Sequence, residues 1–294
     1  MEFICNQCPR NCSALRRENE GDGYCRMGYL PRIARAALHF WEEPCISGTR
    51  GSGTVFFSGC SLGCIYCQNY ELSQEDYGEV ISVKHLADIF KRLEDIGAHN
   101  INLVNPTHYV HSISEALDIY KSGIPIVYNT SGYDSVETLR CLEGLVDVYL
   151  PDFKYTDKAL ADKLSGASDY PETACEAIDE MYRQVGGVRL DSDGIIEKGV
   201  IIRHLVLPGF VTKSIQTLRL IKERFPDDIY ISVMSQYTPA GNTEGFNTLS
   251  RRLTSREYER VLEEVDLCGF RHGFFQELSS ANEEYIPDFD LTGI

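Results

Sequence analysis

From residue 54 onward, short apolar runs alternate with stretches whose apolar residues recur every three or four positions. Thr54–Gly59 (TVFFSG) reads as a buried strand. Ser82–Ile96 reads as a helix, with Val83, Leu86, Phe90 and Leu93 on one face and Gly97 as its stop. Asn100–Asn105 is the next strand. Ser112 and Glu115 have the spacing of a capping box for a helix that Gly123 ends. The alternation continues with strands at Pro125–Thr130, Val146–Phe153, Val200–Leu207 and Ile229–Met234. Helices follow these: one capped by Asp134 with Glu137, one from Thr156, one from Pro171, one through Ile215, Leu218 and Ile221, and one capped by Thr254 with Glu257.

Six repeats of strand then helix predict an α/β fold with a parallel sheet and right-handed crossovers. A doubly wound open sheet and a partial barrel both fit. A closed eight-unit barrel takes ~250 residues, and residues 54–294 show six clear units, so a partial (β/α)6 barrel is the reading adopted. In either architecture ligands sit at the carboxyl ends of the strands.

Composition narrows the class. The chain has 294 residues and a net charge of −16. That balance argues against bulk electrostatic binding of nucleic acid. No apolar run is long enough for a membrane span. The first residues carry no charged-then-apolar leader, the pattern of a cytoplasmic chain. Residues 1–53 hold seven Arg, no Lys and six acidic residues, so the remainder carries −17. This shift predicts a Cys-rich N-terminal extension over 1–53, joined through Gly48–Gly53 to a main domain over 54–294.

Eleven cysteines point to a reducing compartment and to metal ligation. Eight fall within the first 67 residues; Cys141, Cys175 and Cys268 are read as small buried hydrophobes on helices. Cys60, Cys64 and Cys67 (GCSLGCIYCQN) follow the first strand directly, with Gly59 and Gly63 permitting a tight loop. Four thiolates would close a metal site, whereas three leave one position open for a ligand. A zinc site completed by a fourth side chain is the other reading of the same spacing.

With the segments CNQCPRNC, NLVNPTH, NTSGYDS, LPDFK and LPG, this motif resembles the radical S-adenosylmethionine enzymes, and within them the group related to pyruvate formate-lyase activating enzymes. The resemblance runs through nearly the whole chain. It implies a partial (β/α)6 barrel, a [4Fe-4S] cluster on Cys60, Cys64 and Cys67, and S-adenosylmethionine chelating the open iron. It also implies an external one-electron reductant and a 5′-deoxyadenosyl radical that takes hydrogen from a substrate, protein or small molecule, with activation of a glycyl radical enzyme as one such role. A metal protein that transfers electrons or binds a partner without cleaving the nucleotide is the competing reading.

Strand ends supply the remaining cofactor-binding candidates. Asn105 stands where relatives carry Gly-Gly-Glu, and Asn129 where the activating enzymes carry an acid. Asp152 and Lys154 match the family's Asp-x-Lys, with Lys154 a natural partner for a carboxylate. The resemblance gives Tyr66 the role of presenting its backbone carbonyl to the adenine. His108, His111 and His204 are read as structural, and Gln236 and Tyr237 as pocket lining. Cys5, Cys8, Cys12 and Cys25 suit a structural zinc ion, a second iron–sulfur cluster, or bare thiols with the neighbouring arginines on the surface.

Overall fold

The run TVFFSG forms a strand because Val55, Phe56 and Phe57 are apolar and β-favouring, and all of Ser52–Phe57 is buried. In the computed structural model, which describes residues 2–276 and 287–294, this strand begins a row of parallel neighbours. In chain order the strands are β1 (Phe3–Ile4), β2 (Leu15–Arg16), β3 (Arg32–His39), β4 (Ser52–Phe57), β5 (Glu79–Val80), β6 (Ile101–Val104), β7 (Ile126–Thr130), β8 (Val148–Pro151), β9 (Arg189–Leu190), β10 (Ile196–Leu205), β11 (Tyr230–Met234) and β12 (Gly273–Phe275). The helices are α1 (Pro44–Ser47), α2 (Tyr70–Gln74), α3 (Val83–Asp95), α4 (Val110–Ile119), α5 (Val136–Arg140), α6 (Lys158–Ser165), α7 (Tyr170–Val185), α8 (Val211–Arg224) and α9 (Ser255–Cys268).

The main sheet runs β12-β11-β10-β8-β7-β6-β4-β3-β5. Its members from β4 to β12 pair in parallel, and β3 pairs antiparallel with β4. The six sequence-predicted strands are β4, β6, β7, β8, β10 and β11, in sequence order. Among the described residues the sheet does not close, yet one cavity is lined by Phe57, Val104, Asn129, Asp152, Arg203 and Met234, which come from the first through the sixth of these strands or their ends. The sheet therefore curves around that space as a partial barrel. Helices pack outside it; Leu86, Phe90 and Leu93 of α3 are fully buried, as their spacing predicts.

Six strands were not foreseen: the two-residue β1, β2, β5 and β9, and the longer β3 and β12. β12 adds a seventh parallel member after α9. β3, from within residues 1–53, extends the sheet past β4 through a hairpin that crosses residue 53. The C-terminal residues cover β3: Ala36 donates to Thr292 O at 2.9 Å, Leu291 to Ala34 O at 3.1 Å, and Phe289 packs edge-on against Phe56.

Two predicted caps are corrected. Ser112 lies inside the first turn of α4, donates to Tyr29 O at 2.5 Å, and Glu115 accepts from Tyr29 Oη. Both side chains are spent on the N-terminal segment rather than on the helix end. The cap of α5 is Ser135, which accepts from Thr138 N; Asp134 turns inward to accept from Thr107, Tyr128 and Thr130. The Thr254–Glu257 capping box of α9 forms as predicted. Cys141 is exposed and Cys268 half-buried, so neither is a core hydrophobe, whereas the half-buried Cys175 packs against the core. Among the described residues no helix is long and apolar enough to cross a membrane.

Candidate active site

The loop after β4 turns sharply at Gly59 (φ +80°) and Gly63 (φ +65°), conformations that side-chain-bearing residues adopt at a cost. At Gly59 there is also no room: a Cβ would lie 2.3 Å from Met27 Cγ. These turns bring Cys60, Cys64 and Cys67 to the wall of one cavity of about 220 Å³. The sulfurs are already solvated by donors. Leu62 N and Gly63 N point at Cys60 Sγ (3.3 and 3.5 Å), and Ser165 Oγ donates to Cys64 Sγ at 3.0 Å. Burial pushes the Cys60 thiol up to about 12, and burial also raises that of Cys67. Metal ligation at these sulfurs is therefore coupled to release of their protons.

Among the described residues, no three Cys, His, Asp or Glu side chains converge on a single ion. A four-iron cube takes one thiolate on each of its irons, so its ligands stand farther apart than those of one zinc. Three thiols facing a roomy cavity, with amide and hydroxyl donors behind them, fit the cube.

The strand-end candidates line the same cavity: Tyr66, Asn105, Asn129, Asp152 and Lys154 all border it. Asp152 joins two cations, Lys154 Nζ at 2.5 Å and Arg203 Nε at 3.1 Å. Burial opposes the Asp152 charge, but the Lys154 and Arg203 charges outweigh it and hold the carboxyl below its ordinary range. Burial likewise opposes the Lys154 charge, and Asp152 reverses that, so the ammonium persists. Tyr170 fixes this strand end, donating to Asp152 O at 2.8 Å and accepting from Lys154 N at 3.0 Å.

The structure also shows what Asn105 and Asn129 already do. Asn105, itself left-handed at φ +61°, donates from its side-chain amide to Gly59 O and braces the cysteine loop. Asn129 accepts from Arg203 at 2.5 Å and donates to Glu42 Oε1 at 3.3 Å. Tyr66 is buried, its hydroxyl 2.6 Å from that of Tyr155, which is 2.9 Å from Ser165 Oγ. His108 and His204 are structural: they donate to Ser58 O and Phe153 O, each at 2.7 Å.

Glu42 and Arg203 were missed. Arg203 reaches Glu42 Oε2 at 3.2 Å as well as Asp152, extending the chain of alternating charges Lys154–Asp152–Arg203–Glu42 along the cavity wall. The signal was present: Arg203 interrupts the apolar strand VIIRHLVL, and a charge at mid-strand inside a curved sheet has only the cavity to face. Glu42 carries no such signal, because it lies in the irregular segment between β3 and α1, outside the repeating strand–helix pattern. A second cavity of about 390 Å³ shares Trp41, Glu42, Arg203, Met234 and Gln236 with the first, and is bordered by Phe40, Phe274 and Phe275.

Residues 54–221, more than half of the chain, match the family model of the radical SAM superfamily. The chain is 31% identical to the uncharacterized protein MJ0674 of Methanocaldococcus jannaschii, over 88% of this chain and 73% of that one. Among solved structures it resembles Streptococcus suis SuiB bound to S-adenosylmethionine (TM-score 0.50, 16% identity, 77% of this chain and 50% of SuiB). SuiB bound to the precursor peptide SuiA gives a TM-score of 0.53 at 16% identity, over 76% of this chain and 48% of SuiB. Methylornithine synthase (PylB) gives 0.52 at 15% identity, over 88% and 78%. The chain thus spans about half the length of SuiB, and identities this low speak for the fold alone. The family match and the cysteine loop at the mouth of the curved sheet lead to one statement: the chain belongs to the radical S-adenosylmethionine superfamily, whose enzymes work with a [4Fe-4S] cluster and S-adenosylmethionine.

Proposed function

We propose that Cys60, Cys64 and Cys67 hold the [4Fe-4S] cluster and that the adjoining cavity seats S-adenosylmethionine. When bound, these two groups supply reductive cleavage of the sulfonium and a carbon radical that takes hydrogen from the substrate. The chain's own residues bind and orient. Lys154 offers its ammonium to the methionyl carboxylate, and Asp152 keeps that ammonium charged and in place. Asn129 offers an amide to the amino or ribose groups, the Tyr66 backbone carbonyl faces the adenine, and Asn105 holds the Gly59 turn. The curved sheet and its aromatic rim keep water from the reacting atoms. One observation carries this reading: the three thiols and the Lys154–Asp152–Arg203 group line the same cavity at the carboxyl ends of the strands.

For the substrate we propose a polypeptide segment, as for the glycyl-radical activating enzymes the sequence resembles. Support comes from the second cavity, whose rim of Phe40, Trp41 and Phe275 is exposed between the β3 side of the sheet and β12. The similar SuiB binds a precursor peptide. An external one-electron reductant and the reducing cytoplasm complete the reading.

The test is anaerobic reconstitution with iron, sulfide, a reductant and S-adenosylmethionine. The protein should form 5′-deoxyadenosine, and Cys64→Ala should lose it entirely while its circular dichroism stays unchanged. A metal-loaded chain that forms none would favour the electron-transfer or partner-binding reading. With a partner polypeptide labelled with deuterated glycine, deuterium should appear in the 5′-deoxyadenosine; label arriving only from other residues would defeat the glycyl assignment.

A further inference from the structure

Cys5, Cys8, Cys12 and Cys25 gather around a space that Ser61 of the cysteine loop borders and that shares no lining residue with the triad's cavity. All four border one small enclosed space of about 10 Å³, together with Arg16 and His108. The backbone makes unusual effort to bring them there. Asn11 (φ +42°), Ser13 (φ +48°) and Arg26 (φ +59°) are all left-handed without being glycine, two flanking Cys12 and one following Cys25. Each such residue costs about 1–3 kcal/mol and persists only when its surroundings over-determine it. No helix holds these cysteines, and β1 and β2 pair over two residues each.

The decisive neighbour is Arg16. It is 2% exposed. Its guanidinium donates to Met27 O at 2.8 Å and His108 O at 2.6 Å, and its third nitrogen lies 3.9 Å from Cys25 Sγ. Among the described residues it has no carboxylate within ion-pair distance. A buried guanidinium without a counter-charge is costly, and four neutral thiols supply none. Four thiolates on a metal do. Zn²⁺ with four cysteines, or an oxidised [4Fe-4S] core with four cysteines, carries a net charge of −2.

We propose that Cys5, Cys8, Cys12 and Cys25 form a closed four-thiolate metal centre, separate from the cysteine triad, with Arg16 as its buried counter-charge. Uptake of Zn²⁺, or of a preformed cube delivered with its irons already at cluster valence, releases four thiol protons and changes no oxidation state. The shared chemistry is thiolate ligation, from zinc or from a second iron–sulfur cube; because no three of the described sulfurs converge on a single ion, zinc requires the thiols to turn inward, whereas a cube takes ligands that stand farther apart. The centre staples the segment that braces the triad loop. Between Cys8 and Cys12, Arg10 donates to Ser61 O (2.7 Å), Leu62 O (3.1 Å) and Ser165 O (2.9 Å), and Met27 packs against Gly59.

The experiment uses the full chain purified without oxygen, alongside the triple variant Cys60→Ala/Cys64→Ala/Cys67→Ala, with zinc, iron and sulfide measured in both. The triple variant should keep about one zinc, or about four irons with sulfide, per chain. The first result identifies zinc and the second a cube. A folded triple variant that holds neither metal, even after supply of Zn²⁺ or of iron with sulfide, overturns the proposal. If the triple variant does not fold, the wild-type chain decides by alkylation. Cys12 is exposed, as is Cys141, yet Cys12 should resist alkylation until a chelator is added while Cys141 reacts at once. Equal reactivity before chelation overturns the proposal.

Discussion

Two cysteine sets border two separate spaces next to one loop, and their surroundings differ in kind. Cys60, Cys64 and Cys67 face a cavity of about 220 Å³ in which every charge has a partner of opposite sign. Cys5, Cys8, Cys12 and Cys25 surround a space of about 10 Å³ beside a buried arginine that pairs with no carboxylate among the described residues. A metal corner kept for a ligand needs a chamber and groups to seat that ligand. A metal whose ligand set is complete needs only counter-charge and a rigid frame. Two guanidiniums state the contrast most sharply: the half-buried Arg203 is held by Asp152 and Glu42, the buried Arg16 by carbonyl oxygens and a sulfur.

The comparison predicts that charge on the chamber side is costly to disturb. Arg203→Met leaves Asp152 with Lys154 alone and Glu42 with no cation. Removing one member of a buried ionic group costs about 3–5 kcal/mol, to be read as a lowered urea midpoint. Adding Glu42→Gln should recover part of that loss, because burial already raises the Glu42 carboxyl above its ordinary range despite Arg203. A double variant as unstable as the single one would show that Glu42 is not the partner that matters.

A smaller effect separates binding from bracing within the chamber. Lys154→Ala should weaken S-adenosylmethionine by about 2 kcal/mol, roughly 30-fold in Kd, measured by calorimetry on the cluster-loaded protein. Asn105→Ala should change Kd less and cluster retention more, since its amide is directed to Gly59 O. The reverse ranking would exchange the roles assigned to these two residues.

The histidines give a pH test that bears on both sides of the loop. Burial lowers His108 to about 3, and His39 and His204 to about 4. In the unfolded chain each imidazole returns to about 6.5 and binds a proton that the folded chain refuses. The stability they contribute is therefore present above about 6.5 and lost as pH falls toward 4, by up to about 1.4 kcal/mol per pH unit for each histidine. Thermal midpoints between pH 7 and 5 should fall accordingly. His108→Gln and His204→Gln should each flatten the slope, because a neutral amide can donate to the same carbonyl.

The fold was legible where periodicity was strong. The six parallel strands from β4 to β11 and the faces of α3, α7, α8 and α9 follow from spacing alone. β3 was not legible because RIARAALH is rich in alanine and interleaved with arginine, and its strand character comes from pairing with β4 on one edge and the C-terminal residues on the other. The cysteine triad was legible because its ligands are close in sequence. Glu42 was not, since it reaches the chamber only through the β3 hairpin. The misread caps share a cause: Ser112 and Asp134 have local cap spacing, but tertiary partners (Tyr29 for one, Tyr128 and two threonines for the other) claim their side chains.

The finest test of the comparison concerns a single hydroxyl. Ser165 Oγ donates to Cys64 Sγ at 3.0 Å and lies 2.9 Å from Tyr155 Oη, so a chain of hydroxyl groups runs from Tyr66 to the sulfur. A donor to a cluster sulfur stabilises the more negative, reduced state over the oxidised one. A hydrogen bond of about 1 kcal/mol corresponds to roughly 40 mV for one electron. Ser165→Ala should therefore lower the midpoint potential of the triad's cluster by tens of millivolts, read by titration under electron paramagnetic resonance. It should leave alkylation of Cys12 unchanged, because Ser165 touches the triad and none of the four N-terminal sulfurs. Tyr155→Phe removes a neighbour of Ser165 rather than the donor itself, so its shift should be smaller and of the same sign. A potential that stays fixed in Ser165→Ala would mean that the serine only packs the loop, and the amides of Leu62 and Gly63 at Cys60 would then be the donors that set the potential.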